Sequence, residues 1–147
     1  SSDVCSSDLP NYVGKTKMAC HLAKESEYNC IKFVNSETLC NYLNKGSHLN
    51  EIFMSGLKSD STVFIIDSFE KIIEYSKLGN IYNNNILQTI YMMLDKIIEP
   101  NNKVVIILTS SNPDLCDSME LTQSVDYSYN IWDSEIASVF KQRKLNN

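Results

Sequence analysis

The chain has 147 residues, 43% of them hydrophobic and 21% charged, with a formal net charge of -5, which is enough for one domain with its own core. The acidic balance argues against a nucleic-acid-binding surface, which needs a basic excess. No apolar run approaches the ~20 residues that cross a bilayer, and no basic-then-apolar signal segment is visible.

Five cysteines lack any C-x-x-C pair, and His21 and His48 do not stand at zinc-site spacing. Thiols in a reducing, cytosolic compartment are the expectation. Residues 1–9 (Ser-Ser-Asp-Val-Cys-Ser-Ser-Asp-Leu) differ in character from the rest of the chain. They offer no run of Val, Ile or Leu for a buried strand. They resemble translated sequencing-adaptor read-through, so a non-native or disordered leader is expected there.

Gly14-Lys15-Thr16 comes next, where a loop passes into an amphipathic run over residues 17–26. Met18, Ala19, Leu22 and Ala23 fall at helical spacing there. A loop ending in Gly-Lys-Thr at a helix N-terminus turns backbone N–H groups and the positive end of the helix dipole toward a phosphate. In such a loop the Lys15 ammonium reaches the β- and γ-phosphates and the Thr16 hydroxyl ligates Mg²⁺. The complete pattern, G-x-x-x-x-G-K-[ST], puts a glycine at position 9, where Leu9 stands. The tripeptide alone also fits a loop glycine beside a surface lysine and a helix-capping threonine.

Residues 30–34 read as a short strand, and residues 35–45 are mixed, with a helical turn around 38–43. Gly46-Ser47 marks a break, after which Leu49, Ile52, Phe53 and Leu57 recur at helical spacing. Thr62-Val63-Phe64-Ile65-Ile66-Asp67 is a continuous β-prone run closed by an acid. Its lack of alternation predicts a strand buried on both faces, hence a parallel sheet covered by helices. Phe69, Ile72 and Ile73 begin a short helix, and residues 76–80 are a loop. The strongest predicted helix covers residues 83–99, with a wide apolar stripe that includes Ile86, Leu87, Ile90 and Leu94; Pro100 stops it. Residues 104–108 are a second buried strand, leading into Thr109-Ser110-Ser111-Asn112-Pro113. A last strand over 126–131 and a final helix over 134–144 complete an alternating α/β pattern.

A carboxylate at the C-terminal edge of a buried strand is the partner a P-loop requires, since Asp67 can hold the Mg²⁺ that Thr16 also contacts. Its alternative role is to cap the following helix. Taken together, these residues resemble the ATPase module of the AAA family, most closely the second ATPase domain of its vesicle-fusing members. The segments that carry the likeness are Gly14-Lys15-Thr16, Ala23-Lys24-Glu25-Ser26, Ile31-Lys32, residues 63–70 with their Asp-x-x-Glu end, Ile72-Ile73-Glu74-Tyr75, Asn85-Ile86-Leu87-Gln88, and Ile106-Ile107 leading to Thr109-Ser110-Ser111. They span about residues 10 to 140.

The resemblance implies that Val13, Gly14, Lys15, Thr16 and Lys17 bind ATP and that Thr16 and Asp67 hold Mg²⁺. Ser111 falls where the family carries a polar sensor residue. It implies an α/β core over residues 10–131 and the start of a helical lid over 132–147. The strand that precedes the P-loop in this family lies between the strands at 104–108 and 126–131. With no such strand in the sequence, a gap, or the leader filling it poorly, is expected there. The resemblance further implies a homo-hexamer in the cytoplasm, peripheral to transport vesicles and Golgi membranes. Through other parts of a larger protein it would act with an adaptor on SNARE complexes.

An active AAA site has glutamate after the strand aspartate, to polarise the attacking water, and here that residue is Ser68. Serine is a poor base near neutral pH. Arg143 is the single arginine and stands beyond the usual place of an arginine finger, a group worth ~10³–10⁵ in turnover. Both departures imply a domain that binds ATP and supports assembly while hydrolysing it slowly. Two alternatives stand beside this one. The first is a nucleotide-free scaffold that keeps the fold. The second is a small P-loop phosphotransferase, disfavoured because such enzymes clamp two phosphorylated substrates with clustered arginines.

Overall fold

The computed structural model describes residues 14–96, 103–121, 127–131 and 136–142; at Lys15 and Met18 and along the last two strands only the backbone is described. Eleven elements occur in these stretches, α1 (Gly14–Glu25), β1 (Cys30–Val34), α2 (Ser36–Leu39), α3 (Lys45–Gly56), β2 (Ser61–Ile66), α4 (Phe69–Ile72), α5 (Asn84–Lys96), β3 (Lys103–Ser110), α6 (Pro113–Ser118), β4 (Tyr127–Ile131) and β5 (Ile136–Gln142). The first three strands pair in parallel, β1 with β2 and β2 with β3. Every residue of β2 is buried, as its unbroken apolar run requires of a strand covered on both faces.

The period of two along these strands divides the core in two. Val63, Ile65, Val105, Ile107 and Phe33 face one way and pack with Ala19, Cys20 and Ala23 of α1. Phe64, Ile66, Val104, Ile106 and Leu108 face the other way, into a larger cluster with Leu49 and Phe53 of α3 and Ile86, Ile90 and Met93 of α5. The Phe53 and Phe64 rings lie 5.1 Å apart, tilted by 44°.

Gly46-Ser47, expected to break the chain, lies instead in the first turn of α3. Asn44 caps that helix, its side chain accepting the Ser47 N–H at 2.9 Å. Gly46 is required by proximity, because a Cβ there would meet Asn85 Oδ1 at 1.6 Å and its carbonyl oxygen at 3.1 Å. α6 is absent from the elements expected of the sequence. Pro113 opens it, and the Asn112 side chain caps it by accepting the Leu115 N–H.

The sheet order is β1-β2-β3-β5-β4. β5 runs antiparallel to both of its neighbours, so β4 points the same way as the first three strands. The expected strand at 126–131 is therefore present, in the expected direction, and separated from β3 by one strand position. That position is not a gap, and residues 1–9, expected there as a poor filler, lie outside those described. β5 fills it, pairing Leu108 with Val139 on one side and Ser128 with Val139 on the other.

Where a helix is expected over 134–144, Ile136–Gln142 form β5, which pairs into the sheet. Ile136, Ala137, Val139 and Phe140 suit helical spacing as well as a strand. The choice is made by the facing edges of β3 and β4, whose N–H and C=O groups need partners that a helix cannot supply.

Candidate functional site

The C-terminal ends of β1, β2 and β3 bring the chemistry-bearing residues to one edge of the sheet, where ligands of open α/β folds bind. Asp67 follows β2 directly and is only 3% exposed. Its N–H donates to the Val34 carbonyl at 2.9 Å, which ties the end of β2 to β1. Two hydroxyls donate to its Oδ1, Thr16 Oγ1 from the first turn of α1 and Thr109 Oγ1 from β3, each at 2.8 Å. Thr16 and Thr109 are themselves buried. A buried carboxylate is costly without such donors, and here they come from two different elements.

The next residue, Ser68, has φ 60 and ψ 68, the left-handed region, which costs a residue with a side chain about 1–2 kcal/mol. It holds the N-cap position of α4, yet its side chain makes no capping bond. Its N–H donates instead to Thr109 Oγ1 at 2.8 Å. Strained backbone of this kind clusters at functional sites, where neighbouring contacts over-determine it.

Glu70, on the first turn of α4, turns toward β3. Its Oε1 accepts the Ser110 hydroxyl at 2.8 Å and the Ser111 N–H at 3.2 Å. Ser110 is fully buried and also bonds Cys116, whose thiol burial pushes up, an effect that this hydrogen bond partly offsets. Residues 109–111 therefore fasten the junction between β2 and α4 at three consecutive positions.

Of the predicted site residues, Thr16, Asp67 and Ser68 come together. Ser111 stands exposed just past β3, with its amide on Glu70. The buried hydroxyl on Asp67 belongs to Thr109. In the sequence Thr109 is one member of a Thr-Ser-Ser motif, and no local pattern marks which of three consecutive hydroxyl residues a strand turns inward. Gly14 and Lys15 form the N-terminal residues of α1, and Lys17 is exposed. Val13 and the side chain of Lys15 lie outside the described residues.

The donor set suits a hard divalent cation held against phosphate, an alcohol and a carboxylate, both oxygen ligands and both buried. Among the described residues no group of three or more His, Cys, Asp or Glu could hold a metal by itself. Mg²⁺ bound through one or two protein oxygens plus substrate phosphates needs no such group. A separate cavity of about 390 Å³ lies at the opposite ends of the strands, lined by residues that include Leu22, Tyr28, Val63, Lys103 and Val105. Lys103 sits over the Tyr28 ring there, 4.7 Å from its centre.

Comparison with known proteins agrees with this geometry. The model of the ATPase family associated with various cellular activities (AAA) matches residues 10–129. Among similar proteins, the vesicular-fusion protein sec18 of Schizosaccharomyces pombe is 30% identical over 115 residues, 77% of this chain and 14% of that protein. The vesicle-fusing ATPase of Dictyostelium discoideum is 31% identical over 110 residues, 74% of this chain and 15% of its own length. The vesicular-fusion protein SEC18 of Candida albicans is 34% identical over 117 residues, 78% and 15% respectively. The chain thus spans about one seventh of the curated relatives it matches. With a family match across most of its length and the strand, helix and acid in the arrangement that nucleotide binding uses, the chain belongs to the AAA family of ATPases.

Proposed function

We propose that this chain is the ATP-binding, assembly-supporting AAA domain of a vesicle-fusing ATPase, with slow hydrolysis of its own. The observation that carries the proposal is the bond of Thr16 Oγ1 to Asp67 Oδ1, which joins the first turn of α1 to the acidic end of a fully buried strand. Residues 10–131 form the nucleotide-binding core. Val13, Gly14 and Lys15 bind the phosphates with the N-terminal N–H groups of α1, while Lys17 flanks them; Thr16 and Asp67 hold Mg²⁺. When bound, the cation neutralises phosphate charge as it develops.

Slow hydrolysis is the consequence of the residues around Asp67. Ser68 stands where an active site of this family has its glutamate, and its hydroxyl can orient water but not accept a proton well near neutral pH. Glu70, the nearest other carboxylate in sequence, is engaged by Ser110 and Ser111 and does not replace it. The nucleotide then serves to hold subunits together in a homo-hexamer. The larger protein acts with an adaptor to take SNARE complexes apart in the cytoplasm, beside vesicle and Golgi membranes. No helix among the described residues is long and apolar enough to cross a membrane.

The direct test is the Mg²⁺ dependence of ATP binding by the full-length protein and its Asp67→Ala variant. Wild type should bind ATP more tightly in Mg²⁺ than in EDTA, and the variant should lose that increment. A wild type indifferent to both ATP and Mg²⁺ would favour the nucleotide-free scaffold.

A further inference from the structure

The hydroxyl of Thr109 bridges two consecutive residues, Asp67 and Ser68. It accepts the Ser68 N–H and donates to Asp67 Oδ1, both at 2.8 Å. A hydroxyl has one proton, so these bonds determine each other. With the amide pointing at a lone pair, the proton is left to the carboxylate. Thr109 is fully buried and lies on β3, whose pairing of Ile66 with Leu108 fixes its position beside the end of β2. It therefore reaches the acid from the sheet.

The other donor to Asp67 Oδ1, Thr16, reaches it from the first turn of α1. Its hydroxyl is the one proposed above as a ligand of Mg²⁺, and a hydroxyl engaged with a cation is no longer a dedicated partner of the carboxylate. Thr109 carries no such second duty. Its companion Ser110 repeats the arrangement on the next acid, donating to Glu70 at 2.8 Å.

We infer that Thr109 is a positioning residue of the Mg²⁺–nucleotide site, orienting the Asp67 carboxylate toward the cation and locking it to the left-handed backbone of Ser68. The inference rests on the nucleotide-binding function proposed above. It assigns to Thr109 an effect on the cation and none on the phosphates, since nothing in its contacts points to α1 other than through Asp67.

The test is a calorimetric titration of ATP into the full-length protein, in EDTA and across a series of Mg²⁺ concentrations, with thermal melting on the same samples. Thr109→Val keeps the volume and removes the hydroxyl, and Thr109→Ser keeps the hydroxyl. Loss of a buried hydrogen bond to a charged partner predicts a Mg²⁺ midpoint about 10-fold higher for Thr109→Val. ATP affinity in EDTA should stay at the wild-type value, and Thr109→Ser should return the midpoint to within about 3-fold.

A wild-type Mg²⁺ midpoint in folded Thr109→Val would overturn the inference. So would an equal loss of affinity in EDTA, or a Thr109→Ser midpoint displaced as far as that of valine, since each assigns the residue to packing alone. Should Thr109→Val not fold, Thr109→Cys carries the same comparison through a weaker donor, and a wild-type midpoint in it is again fatal. A wild type whose ATP binding ignores Mg²⁺ altogether removes the proposed function first, which separates the two failures.

Discussion

At the scale of single residues, the junction from Asp67 to Glu70 decides what chemistry the domain can do. Ser68 stands where an active site of this family has its water-polarising glutamate and also holds the N-cap position of α4, but its side chain makes no capping bond. Ser68→Glu therefore removes no cap, and its cost is confined to placing a longer side chain on backbone that already has positive φ. General-base positioning is worth ~10²–10⁴ in rate, and the proposed function supplies no arginine finger to act with it. The expected outcome is a rise in steady-state ATPase activity toward the lower end of that range, with little change in ATP affinity, when other ATPase sites of the full-length protein are silenced. Unchanged turnover with a lowered melting temperature would contradict a catalytic role for this position. Ser68→Gly isolates the strain itself. Glycine adopts positive φ without cost, so its melting temperature should hold or rise while turnover does not.

Between elements, the structure turns on close approaches and on the filling of one strand position. Gly56 ends α3 against the Phe64 ring, and a Cβ there would lie 2.4 Å from Phe64 Cζ and 3.2 Å from Thr62 Cγ2. Gly56→Ala should destabilise by about 1–3 kcal/mol, as overpacking generally does, and chemical denaturation with an unchanged m-value would show it. Val139 of β5 pairs with Leu108 on one side and Ser128 on the other. Proline there supplies no N–H to the ladder, so Val139→Pro should cost at least the ~1–3 kcal/mol of one orphaned backbone group. Faster amide exchange in β3 would mark the site of the loss, and protection equal to wild type would contradict the pairing. These elements also show what the sequence carried. β2 was legible because five consecutive apolar or β-branched residues, 62–66, admit few structures but a strand covered on both faces. α5 was legible from its apolar stripe. β5 was not, because Ile136, Ala137, Val139 and Phe140 satisfy two periodicities, and the deciding partners lie about 30 residues away on β3. α6 is six residues long, too short for a period to show.

For the molecule as a whole, two clusters packed on opposite faces of one sheet should behave as a single cooperative unit, because β2 and β3 contribute to both. Cys116 reports on that unit. It is fully buried within the larger cluster, and burial raises its thiol pKa, so less thiolate is present near neutral pH than on an ordinary cysteine. Cys40 is exposed. A thiol reagent should label Cys40 in the native protein and Cys116 only as the fold opens, and rapid native labelling of Cys116 would contradict the packing described. The candidate site was legible as far as its ends. Gly14-Lys15-Thr16 and Asp67 could be read from spacing, while the Thr109 link between Asp67 and Ser68 arises only when β3 is laid beside β2, 42 residues away in the chain. The central claim is that this edge of the sheet binds ATP, and titration calorimetry of MgATP into the full-length protein and its Lys15→Ala variant tests it most directly. Removing one charged partner of a phosphate predicts affinity about 10- to 100-fold weaker, with oligomer formation weakened in step. Equal affinity of the two proteins for MgATP would contradict it.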